Sequence, residues 1–128
     1  MPKRPLIAIV DDDESIRETT KDLLESAGFA AVTFARASLL LKSRRMDRIS
    51  CLVADVRMPE MTGLELHLHL VASNHAIPTI LMTAYADERV REQAIKSNVL
   101  CYLAKPFAAD ELLSCVRGAL GRRRQNAG

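Results

Sequence analysis

Long apolar runs are missing from this chain of 128 residues: the first, Leu6 to Val10, meets Asp11 after five positions. A membrane span needs about 20 apolar residues and the core of a signal peptide at least about 7, so the basic opening Met1-Pro2-Lys3-Arg4-Pro5 leads into neither. The expected location is the cytoplasm, with no membrane partner. Cysteine is scarce as well. Cys51, Cys101 and Cys115 stand singly in apolar segments without the paired spacing of a zinc site or disulfide framework, which suggests buried thiols in a reducing compartment. There is no GxxxxGK or GxGxxG loop, so nucleotide binding has no local support. Internal repeats and low-complexity segments are absent too. The net charge is only +2, with much of the excess in Arg122-Arg123-Arg124. No basic face proposes itself for nucleic acid, and any contact with DNA would come through a domain not present here.

What remains fits one domain, residues 1–121, followed by a polar tail or linker stump, residues 122–128. Short apolar runs alternate with helical patterns. Leu6 to Val10 is a strand, and Ile16, Thr20, Leu23, Leu24 and Ala27 recur at helical spacing until Gly28. Ala30 to Phe34 is a second strand, and Ser38 to Arg45 a helix whose last turn holds Lys42, Arg44 and Arg45 where the helix dipole favours cations. The third strand runs into Asp55. Leu64 to Val71 could alternate as a strand, but its length and composition favour a helix after the Pro59–Gly63 loop. Pro78 to Thr83 is a fourth strand. Asp87 caps a helix through Ser97 that Asn98 closes, and Leu100 to Ala104 is the fifth strand. Asp110 to Leu120 is the last helix, with Leu112, Leu113, Val116 and Leu120 facing inward and an end at Gly121. Five alternations predict an α/β domain, a parallel sheet wound on both faces.

In such a sheet the carboxyl ends of neighbouring strands converge on one crevice. Asp11, Asp12 and Asp13 follow the first strand, Asp55 ends the third, and Lys105-Pro106 follows the fifth. Any one of these aspartates alone would be an ordinary turn or cap residue. Together, Asp11, Asp12 and Asp55 would repel one another unless a cation neutralised them. Magnesium suits an all-oxygen site that stays open to water and shares its coordination with phosphate. With that ion and Lys105 flanking it, Asp55 could attack a phosphoryl group, and Thr83 could donate a hydrogen bond to the phosphoryl oxygens.

These residues resemble the receiver domains of two-component response regulators, of CheY-like fold, over nearly the whole chain. The resemblance implies a flavodoxin-like strand order 2-1-3-4-5. It also implies magnesium on Asp11, Asp12, Asp55 and the backbone carbonyl of Arg57, with Asp13 in the usual third acidic slot. Asp55 matches the phosphoacceptor, Lys105 the family lysine, Thr83 the switch hydroxyl and Tyr102 the switch aromatic. The run Asp55-Val56-Arg57-Met58-Pro59, with Met61 and Gly63, is similar to receivers of the FixJ type, which usually precede a DNA-binding domain. Arg57 and Tyr85 stand where the family tunes acyl phosphate hydrolysis. Departures are Asn98-Val99 in place of a usual Gly-Ala, and Cys101 where an acid is frequent. The implied partners are a sensor histidine kinase and a second copy meeting through the face from the fourth to the fifth helix. That chemistry is a phosphoacceptor's, not an enzyme's beyond self-phosphorylation and self-dephosphorylation.

Two other functions compete. Asp11-x-Asp13 superficially matches the opening motif of haloacid dehalogenase-like phosphohydrolases, but Ser15 stands where that motif has Thr or Val, no acidic pair follows a strand beyond Lys105, and there is no cap domain. A receiver-like interaction domain that never needs phosphorylation is the second. Elsewhere, His67, His69 and His75 lack partners in sequence and are expected at the surface, and Arg89, Arg91 and Lys96 as a solvated helix face.

Overall fold

Strand β1 (Leu6–Val10) carries no polar alternation because both of its faces are covered, and all five residues are buried. In a computed structural model that describes residues 4–127, with side chains as far as residue 121, it lies near the centre of a five-stranded parallel sheet. The strand order is β2-β1-β3-β4-β5, with β2 at Ala30–Phe34, β3 at Ile49–Asp55, β4 at Thr79–Thr83 and β5 at Cys101–Ala104. Residues 1–3, within the basic opening, and Gly128 lie outside the described residues.

Alternate residues of the strands feed two separate cores. Ala8, Val10, Leu52, Ala54 and Leu81 pack with Leu40 of α2 (Ala37–Leu41), Leu66 and Leu70 of α3 (Gly63–Ala72) and Ala94 of α4 (Glu88–Lys96). On the other face Ile7, Ile9, Val53, Ile80 and Met82 pack with Leu24 of α1 (Glu14–Ser26) and Leu112, Val116 and Ala119 of α5 (Ala109–Ala127). The doubly wound architecture expected from the alternating pattern is therefore present. Every strand then points its carboxyl end at the same edge.

Helix ends follow local chemistry. Asp13 caps α1 by accepting from the amides of Ser15 and Ile16, Gly28 beyond it takes φ +96°, and Asn98 after α4 takes φ +63°. The segment after Pro59 is a helix and not a strand: Thr62 and Glu65 form a reciprocal capping box at its start. Leu68 and Val71 are exposed while Leu66 and Leu70 are buried, a helical and not a two-residue period.

Several expectations need correction. Helix α2 stops at Leu41, so Lys42, Arg44 and Arg45 lie beyond it and not in its last turn. The Ser43 hydroxyl accepts from the Arg45 amide, a local bond that competes with helix continuation. Helix α5 continues through Gly121 to Ala127, because one glycine costs a helix only about 1 kcal/mol and the residues after it are mostly good helix formers. His67 is buried: Nδ1 meets the Thr79 hydroxyl at 2.8 Å and Nε2 the Ser97 carbonyl at 2.7 Å. Those two partners satisfy the ring where the phase of α3 turns it inward. His75 is half-buried, with Nδ1 4.0 Å from Asp47, whereas His69 is exposed as expected. Cys51 is a buried free thiol, but Cys101 and Cys115 are joined in a disulfide. The crossover from β5 to α5 brings them together although no short spacing announces it. Arg89, Arg91 and Lys96 are exposed on α4. No helix among the described residues is long and apolar enough to cross a membrane.

Candidate functional site

Asp11 follows β1 directly and is fully buried, its amide donating to Phe34 O of the neighbouring strand. One carboxylate oxygen accepts from the Asp13 amide, and Arg17 Nη1 donates to the Asp11 backbone carbonyl at 2.8 Å. Asp11 is thus fixed from both ends. Asp12 is exposed beside it, while Asp13 is spent on capping α1.

Asp55 closes β3. The strand carries on into hydrogen bonds from Val56 N to Met82 O and from Gly63 N to Val56 O, which fold the β3–α3 loop back under it. Gly63 sits so close that a Cβ there would strike the Asp55 carbonyl and a Leu81 methyl. The Arg57 amide reaches Asp55 Oδ1 at 3.4 Å, which places that stretch of backbone against the carboxylate.

Lys105 enters from the end of β5, its amide donating to Thr83 O at 2.7 Å. Its ammonium donates to Asp11 Oδ2 at 2.9 Å and lies 3.5 Å from Asp55 Oδ2. Residues 44 and 94 positions apart in sequence from Asp11 therefore share one site with it. One oxygen from each of Asp11, Asp12 and Asp55 lies within 4.8 Å of the others.

Asp11 and Asp55 share the Lys105 ammonium with Asp12 close by, and the electrostatics show the negative excess. Burial pushes the Asp55 carboxyl above its ordinary value and the Asp11 charge adds to the rise, with Lys105 and the Arg57 amide opposing without cancelling it. Burial alone would lower Lys105, but the hydrogen bond and charge of Asp11, joined by Asp55, hold its ammonium above the ordinary range. The donor set fits a hard divalent ion: all-oxygen, negative in excess, and open to water on the Asp12 side.

Stability responds to the same charges. Because the folded-state pKa of Asp55 is raised, the folded protein binds more protons than the unfolded one between the two values, and stability falls as pH rises through the upper one. Asp55→Asn removes a repelled charge and leaves Asp11 paired with Lys105. Its melting temperature, measured without divalent metal, is expected to exceed the parent's near neutral pH. The gain should shrink as acid protonates the parent's Asp55, and scanning calorimetry across pH checks both parts.

The other expected residues sit at the rim. Thr83 is buried at the end of β4, but its hydroxyl is turned to the loop, donating to Tyr85 O at 3.1 Å and accepting from Tyr85 N at 3.0 Å. Tyr102 is half-buried against the α3–α4 core, its hydroxyl accepting from the amide of Asp87, the cap of α4. Unforeseen is the stacking of Arg57 over the Tyr85 ring, 4.7 Å from its centroid. The sequence marks both positions, two residues after Asp55 and after Thr83, without saying that they meet. Also unforeseen is an apolar groove between α1 and the β5–α5 loop, lined by Ile16, Leu23, Pro106 and Phe107 and ending at Lys105.

Residues 7–117 match the family model described as the response regulator receiver domain. The chain is 36% identical over 124 residues to the C4-dicarboxylate transport transcriptional regulatory protein DctD of Rhizobium meliloti (strain 1021), which covers 97% of this chain and 27% of that protein. It is 37% identical over 123 residues to the transcriptional regulatory protein FixJ of Azorhizobium caulinodans, covering 95% of this chain and 58% of that one. The chain thus spans about half or less of these relatives' length. The solved structure of response regulator StyR superposes with a TM-score of 0.87 at 40% identity, over 98% of this chain and 65% of that one. With the strand-end acids, the lysine and the sheet order already in place, these likenesses mean that the chain belongs to the receiver domain family of two-component response regulators.

Proposed function

We propose that Asp55 accepts a phosphoryl group from the phosphohistidine of a sensor kinase, and that the modification shifts the domain between two conformations. The observation that carries this reading is the Lys105 ammonium held between Asp11 and Asp55, at 2.9 and 3.5 Å. An Asp55 carboxylate oxygen attacks phosphorus, the P–N bond to imidazole breaks, and the leaving imidazole takes up a proton. Lys105 is placed to hold a phosphoryl oxygen through the transition state and to stay charged while doing so. Bound at Asp11, Asp12, Asp55 and the Arg57 carbonyl, magnesium would supply positive charge against the phosphoryl oxygens. Later attack of water on phosphorus releases inorganic phosphate and restores the carboxylate.

For the conformational response, the Thr83 hydroxyl exchanges its Tyr85 partners for a phosphoryl oxygen. Release of that turn alters the loop into α4, where the Tyr102 hydroxyl holds the Asp87 amide, so the change reaches β5 and α4 together. A covalent mark shifts such an equilibrium only through contacts that differ between its states, and Thr83 and Lys105 supply them. Output follows through a second copy meeting the α4–α5 face and a DNA-binding domain elsewhere in a longer regulator, as in the FixJ-type arrangement. Residues 1–121 would then be the receiver and residues 122–128 the start of the linker, in a cytoplasmic protein.

Intact-mass analysis after incubation with acetyl phosphate and magnesium tests the chemistry. The expected result is a gain of one phosphoryl group, abolished by a chelator of divalent cations and removed by hydroxylamine, which cleaves acyl phosphates. A modification indifferent to both reagents would sink the reading.

A further inference from the structure

We infer that Cys101 and Cys115 form a reversible thiol–disulfide couple, and that its oxidation restrains the segment carrying Tyr102 and Lys105, so that thiol redox state tunes how fast Asp55 is phosphorylated. The coupling to Asp55 rests on the reading above, whereas the thiol chemistry does not.

Position comes first. Cys101 opens β5 and Cys115 lies within α5, with Cα atoms 6.3 Å apart, a separation that admits a disulfide without moving the backbone. The pair is separated by 14 positions and encloses Tyr102, Lys105 and the loop into α5. Strand β5 is an edge strand, hydrogen-bonded on one side only, to β4. A covalent tie to α5, which packs on the sheet face with Leu112 and Val116, therefore adds a second restraint to the edge strand that delivers the site's ammonium.

Access comes second. Cys101 and Cys115 are both part-exposed, so small thiols and disulfides can reach them. Cys51 is fully buried and burial pushes its thiol up to about 12, which removes it from thiolate chemistry near neutral pH. The chain thus separates one inert thiol from one reachable pair.

The reaction balances with a low-molecular-weight disulfide of the glutathione type as oxidant. One cysteine thiolate attacks a sulfur of RSSR, forming a mixed disulfide and releasing RS⁻. The second thiolate attacks the protein sulfur of that mixed disulfide and expels another RS⁻. Two electrons pass from the two cysteines to RSSR, and excess RSH reverses both steps.

The test equilibrates the chain in glutathione buffers of graded ratio, alkylates it after denaturation and weighs it. Each redox state is then timed with acetyl phosphate and magnesium. One alkylated thiol is expected in oxidising buffers and three in reducing ones. The oxidised form should gain its phosphoryl group about fivefold more slowly, a size usual for coupling between sites. Cys101→Ser and Cys115→Ser, each phosphorylated at one rate in all buffers, support the coupling. Three alkylated thiols at every ratio, or one at every ratio, overturn the reversible couple. Equal rates in the two states overturn the coupling alone. No phosphorylation in either state overturns the Asp55 assignment instead, and the thiol transition should survive in Asp55→Asn.

Discussion

Asp55→Asn is expected to gain no phosphoryl group under conditions that modify the parent fully, and Lys105→Met to gain it about 100-fold more slowly, the usual loss when one charge-stabilising donor is removed. The two effects differ in kind. The side-chain amide that Asp55→Asn introduces lacks the nucleophilic oxygen, so the reaction has no route at that position. Lys105→Met leaves the nucleophile but removes the ammonium held 2.9 Å from Asp11 and 3.5 Å from Asp55. The burial and the Asp11 charge that already raise the Asp55 carboxyl then lose the opposition of Lys105, and protonation competes with attack. Phosphorylation of Lys105→Met should consequently fall further at mildly acid pH than that of the parent. Intact-mass time courses at two pH values check this, and equal modification of Asp55→Asn and the parent would remove Asp55 as the acceptor. A phosphohydrolase acting through Asp11 would behave in the opposite way, losing monoester turnover in Asp11→Asn while keeping it in Asp55→Asn.

How much of this could be read in the residues depends on what kind of information each feature carries. Asp55 and Lys105 were legible because buried parallel strands are unbroken apolar runs, and a charge that ends such a run lies at the sheet's carboxyl edge whatever the helices do. Tyr102 and Thr83 were legible as positions but not as contacts. A hydroxyl at a strand end bonds to whichever backbone group its rotamer reaches, and here Thr83 meets Tyr85. The burial of His67 follows from a pattern the sequence does contain. The buried face of α3 is Gly63, Leu66, His67 and Leu70, an i, i+3, i+4, i+7 set to which the histidine belongs by phase, although no partner for it stands nearby in the sequence. The Thr62-x-x-Glu65 capping signal was equally present. The disulfide was not legible in this way. Strand and helix periodicity place Cys101 and Cys115 on their own elements but do not fix the crossover that brings the two elements together.

The same distinction between local propensity and tertiary contact makes Gly63 the position where one small substitution should do most harm to the fold. By helix propensity alone, Gly63→Ala at the first residue of α3 ought to stabilise, because Ala is favoured over Gly by roughly 1 kcal/mol in a helix interior. Opposing this, the new Cβ meets backbone, the Asp55 carbonyl, as well as a Leu81 methyl. A side chain can change rotamer to make room, but this carbonyl belongs to the strand end that carries the Asp55 carboxylate. Overpacking costs about 1–3 kcal/mol for an added methylene, and more where backbone must move. The clash therefore outweighs propensity, and Gly63→Val, with two further carbons, exceeds Gly63→Ala. The expected loss for Gly63→Val is at least about 3 kcal/mol, lowering the melting temperature by roughly 10 °C. Gly118 in α5 supplies the matched control, since nothing lies within 4 Å of its ideal Cβ. Gly118→Ala should raise the melting temperature by a few degrees, the result that propensity alone predicts for both sites. Gly63→Ala should also phosphorylate more slowly at temperatures where it is fully folded, because relief of the clash shifts the Asp55 backbone and disturbs its 3.5 Å contact with Lys105. A Gly63→Ala variant as stable as the parent and phosphorylated at the same rate would show that the β3–α3 loop yields freely and that this glycine does not position the acceptor.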